Sequence, residues 1–99
     1  MLKHNSYFEG AVQSVGYTRN GLPASVGVIA PGEYHFGTAA AERMTVVSGL
    51  LQARLPGADG VSDWANFPAG TYFEVGVNSG FDVRAIGGPA AYLCEYFAA

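Results

Sequence analysis

Apolar and polar residues alternate in short runs along most of the chain. Segments rich in Val, Phe, Tyr and Thr are separated by glycine-marked corners such as Asn20-Gly21, Pro31-Gly32, Asp59-Gly60 and Ser79-Gly80. A period of two between such corners is typical of β-strands. The pattern predicts about nine short strands, near residues 10–17, 24–30, 32–37, 43–48, 50–55, 62–67, 71–76, 81–86 and 90–97.

One segment, "TAAAERM" at 38–44, has helical character, but a strand pattern follows it at once, so we expect a single turn there at most. Regular short strands without a long helix predict an all-β sandwich or closed barrel. A chain of 99 residues is long enough for one core, and we expect a single domain spanning 1–99.

The same alternation assigns side chains to faces. Phe73 and Val75 share a face opposite Glu74, and the strand "AAYLCEYF" places Tyr92, Cys94 and Tyr96 on one side and Leu93, Glu95 and Phe97 on the other. Large apolar side chains on both faces of this strand indicate that part of the barrel wall is also a dimer interface.

Charge is sparse and scattered. Charged residues make up 13% of the chain, about half the usual share, which favours a surface partly covered by a second copy and predicts a homodimer. The net charge is −3 without a basic stripe, so nucleic-acid binding is not expected. With one cysteine, no signal-peptide pattern and no membrane-length apolar run, the sequence predicts a cytoplasmic protein without membrane attachment.

Two spacings are similar to the motifs of cupin barrels. Glu42 precedes Gly49 by seven positions, as the glutamate of the first cupin motif precedes its glycine, and Gly70 begins a count like that of the second motif. Counted from Gly70, Gly76 stands where the second motif has a proline, and Phe81 stands where it has a metal-binding histidine. A cupin metal centre needs about three imidazoles and a carboxylate, and the chain has two histidines, His4 and His35. We therefore expect a jelly-roll-like cupin barrel without a metal.

A more specific resemblance runs almost from end to end. The runs "ASVGVIAPGEYHFGTAAAERMTVVSG" (24–49), "FPAGTYFEVGVNSGFDV" (67–83) and "AAYLCEYF" (90–97) closely resemble the small pyrimidine/purine nucleoside phosphorylases, which are single-domain cupins of about this length. The resemblance implies splitting of purine and pyrimidine nucleosides by inorganic phosphate into free base and ribose 1-phosphate, with no cofactor. Gly76, where the family usually has proline, is expected to loosen its corner.

Phosphorolysis requires groups that hold the anion and orient the ribose. Glu42, at the position of the cupin glutamate, is the catalytic candidate: it could accept hydrogen bonds from ribose hydroxyls and offset positive charge, or be a structural carboxylate. Asn78 and Ser79, in "GVNSG", and Arg43 are candidates for phosphate. The alternatives are a plain hairpin turn for the first two and a solvated charge for Arg43.

The aromatic residues Tyr34, Phe36, Phe73 and Phe81 could stack a nucleobase of either class, or could form the barrel core. Cys94 is expected to pack inside, Trp64 to support a hairpin, and His35 to face away from the lumen. Two further functions stay open on the sequence: a non-catalytic cupin module that binds a nucleoside-like or sugar-like ligand, and a filled barrel that only contacts other proteins.

Overall fold

The chain folds almost entirely into strands in the computed structural model, which describes residues 2–57 and 60–97. In chain order the strands are β1 (Lys3–Tyr7), β2 (Val12–Arg19), β3 (Leu22–Ile29), β4 (Gly32–Thr38), β5 (Ala41–Ser48), β6 (Leu50–Arg54), β7 (Pro56–Gly57), β8 (Gly60–Val61), β9 (Ala65–Pro68), β10 (Tyr72–Val75), β11 (Ser79–Ala85) and β12 (Ala90–Phe97). A 3-10 turn, Phe8–Gly10, joins β1 to β2. The predicted all-β class is confirmed.

The strands form two main antiparallel sheets and a small ribbon. The larger sheet has the order β1-β2-β3-β12-β5-β10, the smaller has β4-β11-β6-β9, and β7 pairs with β8. Strand β12 lies between β3 and β5, with Cys94 opposite Ser25 on one side and Met44 on the other. The last strand of the chain thus occupies the middle of the larger sheet and joins distant parts of the sequence.

Strands are present where the sequence predicted them, but the first or last residue of most of them differs from the prediction. Strand β1, "KHNSY", was not predicted because it is polar, largely exposed and lies at a sheet edge, so it shows no apolar alternation. Residues 38–44 end β4, bend at 39–40 and begin β5, as expected of a segment without a helix. The glycine-marked corner at 59–60 falls partly on Asp59, which lies outside the described residues.

The two main sheets share one apolar core. The shared faces predicted from alternation are confirmed, and the structure shows which face is inward: Phe73 and Val75 are buried with Glu74 exposed, and Tyr92 and Cys94 are buried on the same face. Aromatic rings fill the middle of this core. Phe81 makes edge contacts with Phe36 and Phe73, with ring centroids 5.4 Å and 5.3 Å apart, and Phe73 in turn contacts Phe67.

The outer face of the larger sheet is apolar along a row that crosses four strands. Val15 lies opposite Val26, Val26 opposite Leu93, and Leu93 opposite Thr45. Val28 and Val47 are also exposed on this sheet. This face, called here the valine face, lacks charged side chains along the row.

The outer face of the smaller sheet is polar and densely paired. Asp82 accepts hydrogen bonds from Arg54 and pairs with His35, both at 2.9 Å. The Trp64 ring contacts two guanidinium groups, with its centroid 4.5 Å from Cζ of Arg54 and 4.0 Å from Cζ of Arg84. The Trp64 ring thus makes cation–π contacts on this face, and its support of a hairpin stays a prediction. Within the described residues, no helix has the length and apolarity needed to cross a membrane.

Candidate functional site

A cavity of about 440 Å³ opens where the edge strand β4 and the β1–β2 turn meet the inner face of the larger sheet. Its wall includes Phe8 from the turn, Ser14 from β2, Phe36 from β4, Glu42 from β5, and Tyr92 and Tyr96 from β12. The volume lies in the range of small-ligand sites, and the wall combines aromatic surface with a few converging polar groups.

Glu42 is the buried carboxylate of this cavity. It occupies an inward position of β5, in line with Met44 and Val46, and only 7% of it is exposed. Burial raises the pKa of Glu42 from 4.5 to about 7, while a weaker hydrogen bond from the Cys94 thiol acts in the opposite direction. Near neutral pH the side chain is therefore divided between carboxylic acid and carboxylate, and both forms are available for chemistry.

The polar groups next to Glu42 are uncharged donors. Tyr96 lies directly opposite Glu42 in the β12–β5 pairing, and its hydroxyl is 3.1 Å from Ser25 Oγ. Burial, together with the nearby charge of Glu42, raises the pKa of the Cys94 thiol to about 12. Burial also raises the pKa of the Tyr92 and Tyr96 hydroxyls. Cys94 stays a neutral thiol at physiological pH, as expected for interior packing and unlike a nucleophilic cysteine.

The position of the Tyr92 ring depends on a glycine in the neighbouring strand. Gly27 lies opposite Tyr92 in the β3–β12 pairing, and a Cβ there would overlap the ring, with its Cε1 atom only 2.7 Å away. The ring thus lies flat over the β3 backbone, a close approach that only glycine permits. This packing leaves the space in front of Tyr92 open as part of the cavity.

Two of the predicted site residues, Glu42 and Phe36, line the cavity. Tyr34, on the same face of β4, borders it through contact with Phe8, with ring centroids 4.9 Å apart. Phe81 and Phe73 lie behind Phe36 in the aromatic core. The structure therefore brings Glu42 and the β4 aromatics to one place and uses the other two rings as their support.

The predicted phosphate contacts lie elsewhere. Arg43 is on the outer face of β5, where its Nη2 atom is 2.9 Å from Glu74 Oε2 and its guanidinium covers the Tyr72 ring. Asn78 and Ser79 form the β10–β11 corner, and none of the three lines the cavity. Their part in phosphate binding stays a prediction.

The β10–β11 corner is fastened to the end of β4, although Gly76 was expected to loosen it. Thr38 Oγ1 donates to the Gly76 carbonyl at 2.7 Å and accepts from the Ser79 amide at 3.0 Å. Asn78 adopts a positive φ of 53°, which asparagine tolerates better than most residues. One buried hydroxyl thus ties both ends of the corner to β4, and the looser corner expected from Gly76 stays a prediction.

Sequence reasoning missed the wall residues Phe8, Ser14 and Tyr7 and assigned Tyr92 and Tyr96 only to the wall. The alternation in "AAYLCEYF" does place both tyrosines on the Cys94 face, so their inward direction could be predicted. For Phe8 the signal is weak, because "SYFEG" shows neither strand nor helix periodicity. His35 faces outward as predicted, at the rim of the cavity, with its Nδ1 atom bound to Asp82.

The donors in the cavity do not fit a cupin metal centre. They comprise the Glu42 carboxylate and the hydroxyl groups of Ser14 and three tyrosines, while His35, at the rim, is directed to Asp82 on the outer face. In residues 2–57 and 60–97, no group of three or more His, Cys, Asp or Glu side chains could hold an ion. A site of imidazoles and a carboxylate cannot be assembled from these side chains.

Comparisons with known proteins place the chain in a family. The model of the family described as pyrimidine/purine nucleoside phosphorylase matches residues 2–96. Proteins of that name from Anaeromyxobacter sp. (strain Fw109-5) and Sorangium cellulosum (strain So ce56) are each 60% identical over 96 residues, covering 97% of this chain and 88% and 99% of theirs.

Solved structures agree on the fold. A Vibrio parahaemolyticus protein described as of unknown function superposes with a TM-score of 0.86 at 47% identity, covering 98% of this chain and 99% of that one. A structure of Fe(II) HppE shares the fold at a TM-score of 0.79 and 15% identity, covering 97% of this chain and 56% of that one. From the match over residues 2–96 and the 60% identity to its relatives, this chain belongs to the pyrimidine/purine nucleoside phosphorylase family.

Proposed function

We propose that this protein is a nucleoside phosphorylase of broad specificity that acts without a metal. A phosphate oxygen attacks C1′ of the ribose, the C1′–N bond breaks, and its electron pair leaves with the base. The proton of the attacking hydrogen phosphate ends on the base nitrogen, giving ribose 1-phosphate and free purine or pyrimidine. Beyond the family relationship, the observation that carries the proposal is the buried carboxylate of Glu42 in a cavity of ligand size.

Glu42 is the catalytic residue of this proposal. In its carboxylate form it accepts hydrogen bonds from the ribose hydroxyls and offsets the positive charge that develops on the sugar as the C1′–N bond breaks. A charge in a site closed to water acts more strongly than one in solution. The neutral hydroxyls of Tyr92 and Ser14, on the same wall, are donors for the sugar or the phosphate.

The base would lie against the aromatic part of the wall. Phe36 presents its ring to the cavity, Tyr34 adjoins it, and Phe81 and Phe73 hold Phe36 in place from behind. Stacking on a hydrocarbon ring suits purines and pyrimidines alike. Direct contact of Phe73 or Phe81 with the base, and phosphate binding by Arg43, Asn78 and Ser79, are parts of the prediction that ligand-bound structures would test.

The test is phosphate dependence. We expect the purified protein to release free base from both uridine and adenosine only when phosphate is present, and to do so equally well after dialysis against a chelator. Base release can be followed by liquid chromatography. Release without phosphate would indicate a hydrolase, and activity that is lost with the chelator and restored by a metal would contradict the metal-free proposal.

A non-catalytic binding module is the second candidate, and one observation favours it. Among the described residues that line the cavity there is no lysine or arginine, although phosphate is often held by such groups. Saturable binding of uridine with no turnover at any phosphate concentration would support this candidate over the enzyme.

The protein is also proposed to be a homodimer that pairs through the valine face. The support is the low charge content of the chain and the apolar row in which Val15 and Val26 are exposed and Leu93 is half-buried. We expect sedimentation to give twice the chain mass of 10.3 kDa, and Val26→Lys to shift the protein to the monomer. Val77→Lys, at an equally exposed valine of the β10–β11 corner, is the matched control. A monomeric wild type would overturn the proposal.

Two further expectations from the sequence, the single domain and the cytoplasmic location, remain predictions.

A further inference from the structure

The turn between β1 and β2 has an unusual backbone. Phe8, Glu9 and Gly10 are consecutive residues with positive φ, at 52°, 56° and 88°. For glycine this is ordinary, but for a bulky side chain such as phenylalanine it is a conformational outlier. Such conformations persist only where the surrounding structure holds them in place, and they are frequent at ligand sites.

Contacts with β4 hold the Phe8 ring. Its centroid is 4.9 Å from that of Tyr34, and it lies nearly parallel to Phe36, with an angle of 14° and centroids 6.2 Å apart. Tyr34 is itself fixed, because its hydroxyl is 3.1 Å from the carbonyl oxygens of Ala30 and Pro31 and donates to them. A Cβ at Gly32 would be 2.7 Å from that hydroxyl, so glycine is needed beneath it.

Burial does not explain why Phe8 is held in this way, since 48% of the residue stays exposed. The exposed ring lines the same cavity as Glu42 and Phe36. A fixed, half-exposed aromatic ring beside a second, nearly parallel ring is an arrangement suited to a flat heterocycle.

We propose that Phe8 binds the nucleobase, with its ring stacked on the heterocycle at the mouth of the cavity while Glu42 engages the sugar. This inference rests on the proposed function and extends the binding site to a residue whose side chain has no polar atom. Because a hydrocarbon ring makes no hydrogen bonds that distinguish one base from another, Phe8 contributes equally to the binding of purines and pyrimidines. Stacking is present in both the bound substrate and the transition state, so its loss should raise KM more than it lowers kcat.

The experiment compares Phe8→Ala, Phe8→Leu and Phe8→Tyr for uridine and adenosine. We expect Phe8→Ala to raise KM by roughly tenfold or more for both nucleosides with kcat changed less than about threefold. Phe8→Leu, which keeps apolar bulk without a π-face, should resemble Phe8→Ala, and Phe8→Tyr, which keeps the π-face, should raise KM less than either. Leu22→Ala, an equally exposed residue away from the cavity, is the matched control. Circular dichroism verifies that each variant is folded.

A binding measurement separates this inference from the proposed function. The fluorescence of 2-aminopurine falls when it stacks, so titration with the free base reports the contact without any turnover. If the wild type is active and the folded Phe8→Ala variant has the same KM and the same 2-aminopurine quenching as the wild type, the role of Phe8 is overturned and the proposed function is not. The same holds if Phe8→Leu retains full binding. A wild type that neither turns over nucleosides nor binds 2-aminopurine would overturn both proposals.

Discussion

Replacing Glu42 by glutamine is expected to lower kcat/KM by about 100-fold or more and at the same time to stabilise the protein at pH 8. Glutamine keeps the size of the side chain but cannot carry the negative charge that the developing positive charge on the sugar requires. The stabilisation follows from the same burial that makes the group useful, because a charged carboxylate is costly in this cavity.

The sign of the pH dependence follows from the two pKa values. Burial raises the pKa of Glu42 from 4.5, its ordinary value, to about 7 in the folded protein. Below pH 4.5 both states are protonated, and the stabilising contribution of the bound proton is fully present. As the pH rises from 4.5 to 7 the unfolded chain releases its proton before the folded one does, so stability falls, and above pH 7 it stays low. The full cost would be about 3 kcal/mol, since each pKa unit corresponds to about 1.4 kcal/mol.

We therefore expect the free energy of unfolding of Glu42→Gln at pH 8 to exceed that of the wild type by about 1–2 kcal/mol, the buried amide offsetting part of the gain. At pH 4 the difference should vanish or reverse. Denaturant unfolding at both pH values measures this. Glu74→Gln is the matched control, because Glu74 is an exposed partner of Arg43 on the outer face, where such pairs contribute about 0–1 kcal/mol. A Glu42→Gln variant with wild-type turnover would remove Glu42 from the site.

Phe81→Ala is expected to destabilise the protein by about 3–5 kcal/mol, the usual cost of emptying a buried phenylalanine position. Phe81 is 2% exposed and makes edge contacts with both Phe36 and Phe73. Since a domain of this size is stable by about 5–15 kcal/mol in total, the variant should lose a large part of its stability. Denaturant unfolding measures this, and a shift of the midpoint without a change in slope would show a loss of stability with the cooperative transition intact.

Phe81→Leu separates the core role of this residue from contact with the base. Leucine fills most of the space that alanine would leave empty, so Phe81→Leu should cost less than the about 3–5 kcal/mol of Phe81→Ala and should fold. If Phe81 acts only as support for Phe36, KM for uridine and adenosine should change little in Phe81→Leu. A large rise in KM in the folded variant would instead indicate direct contact with the base, as the sequence prediction allowed.

The fold was largely predictable because the strands alternate with a period of two and the corners are marked by glycine. Strand β1 was missed because an exposed edge strand has no buried face to impose the alternation. The inward direction of Glu42 could also have been predicted from its alternation with Met44 and Val46. By the same rule its neighbour Arg43 points outward, and the structure shows this side chain paired with Glu74.

The shape of the site was harder to predict, because it depends on contacts between residues far apart in the sequence. The β10–β11 corner is placed by a hydroxyl from Thr38, some forty residues earlier. The cavity mouth depends on a turn in which Phe8 has a positive φ, a conformation that no local pattern predicts for phenylalanine. The open space before Tyr92 depends on Gly27 in another strand. Such features arise from tertiary packing and overrule local preferences.

The most direct test of the central claim is a crystal structure of the Glu42→Gln variant with uridine and phosphate bound, since this variant should hold the substrates without consuming them. The account predicts the ribose hydroxyls within hydrogen-bonding distance of the residue 42 side chain, the base against Phe8 and Phe36, and phosphate facing C1′. Uridine bound outside the cavity, for example on the outer face beside Trp64, would contradict it.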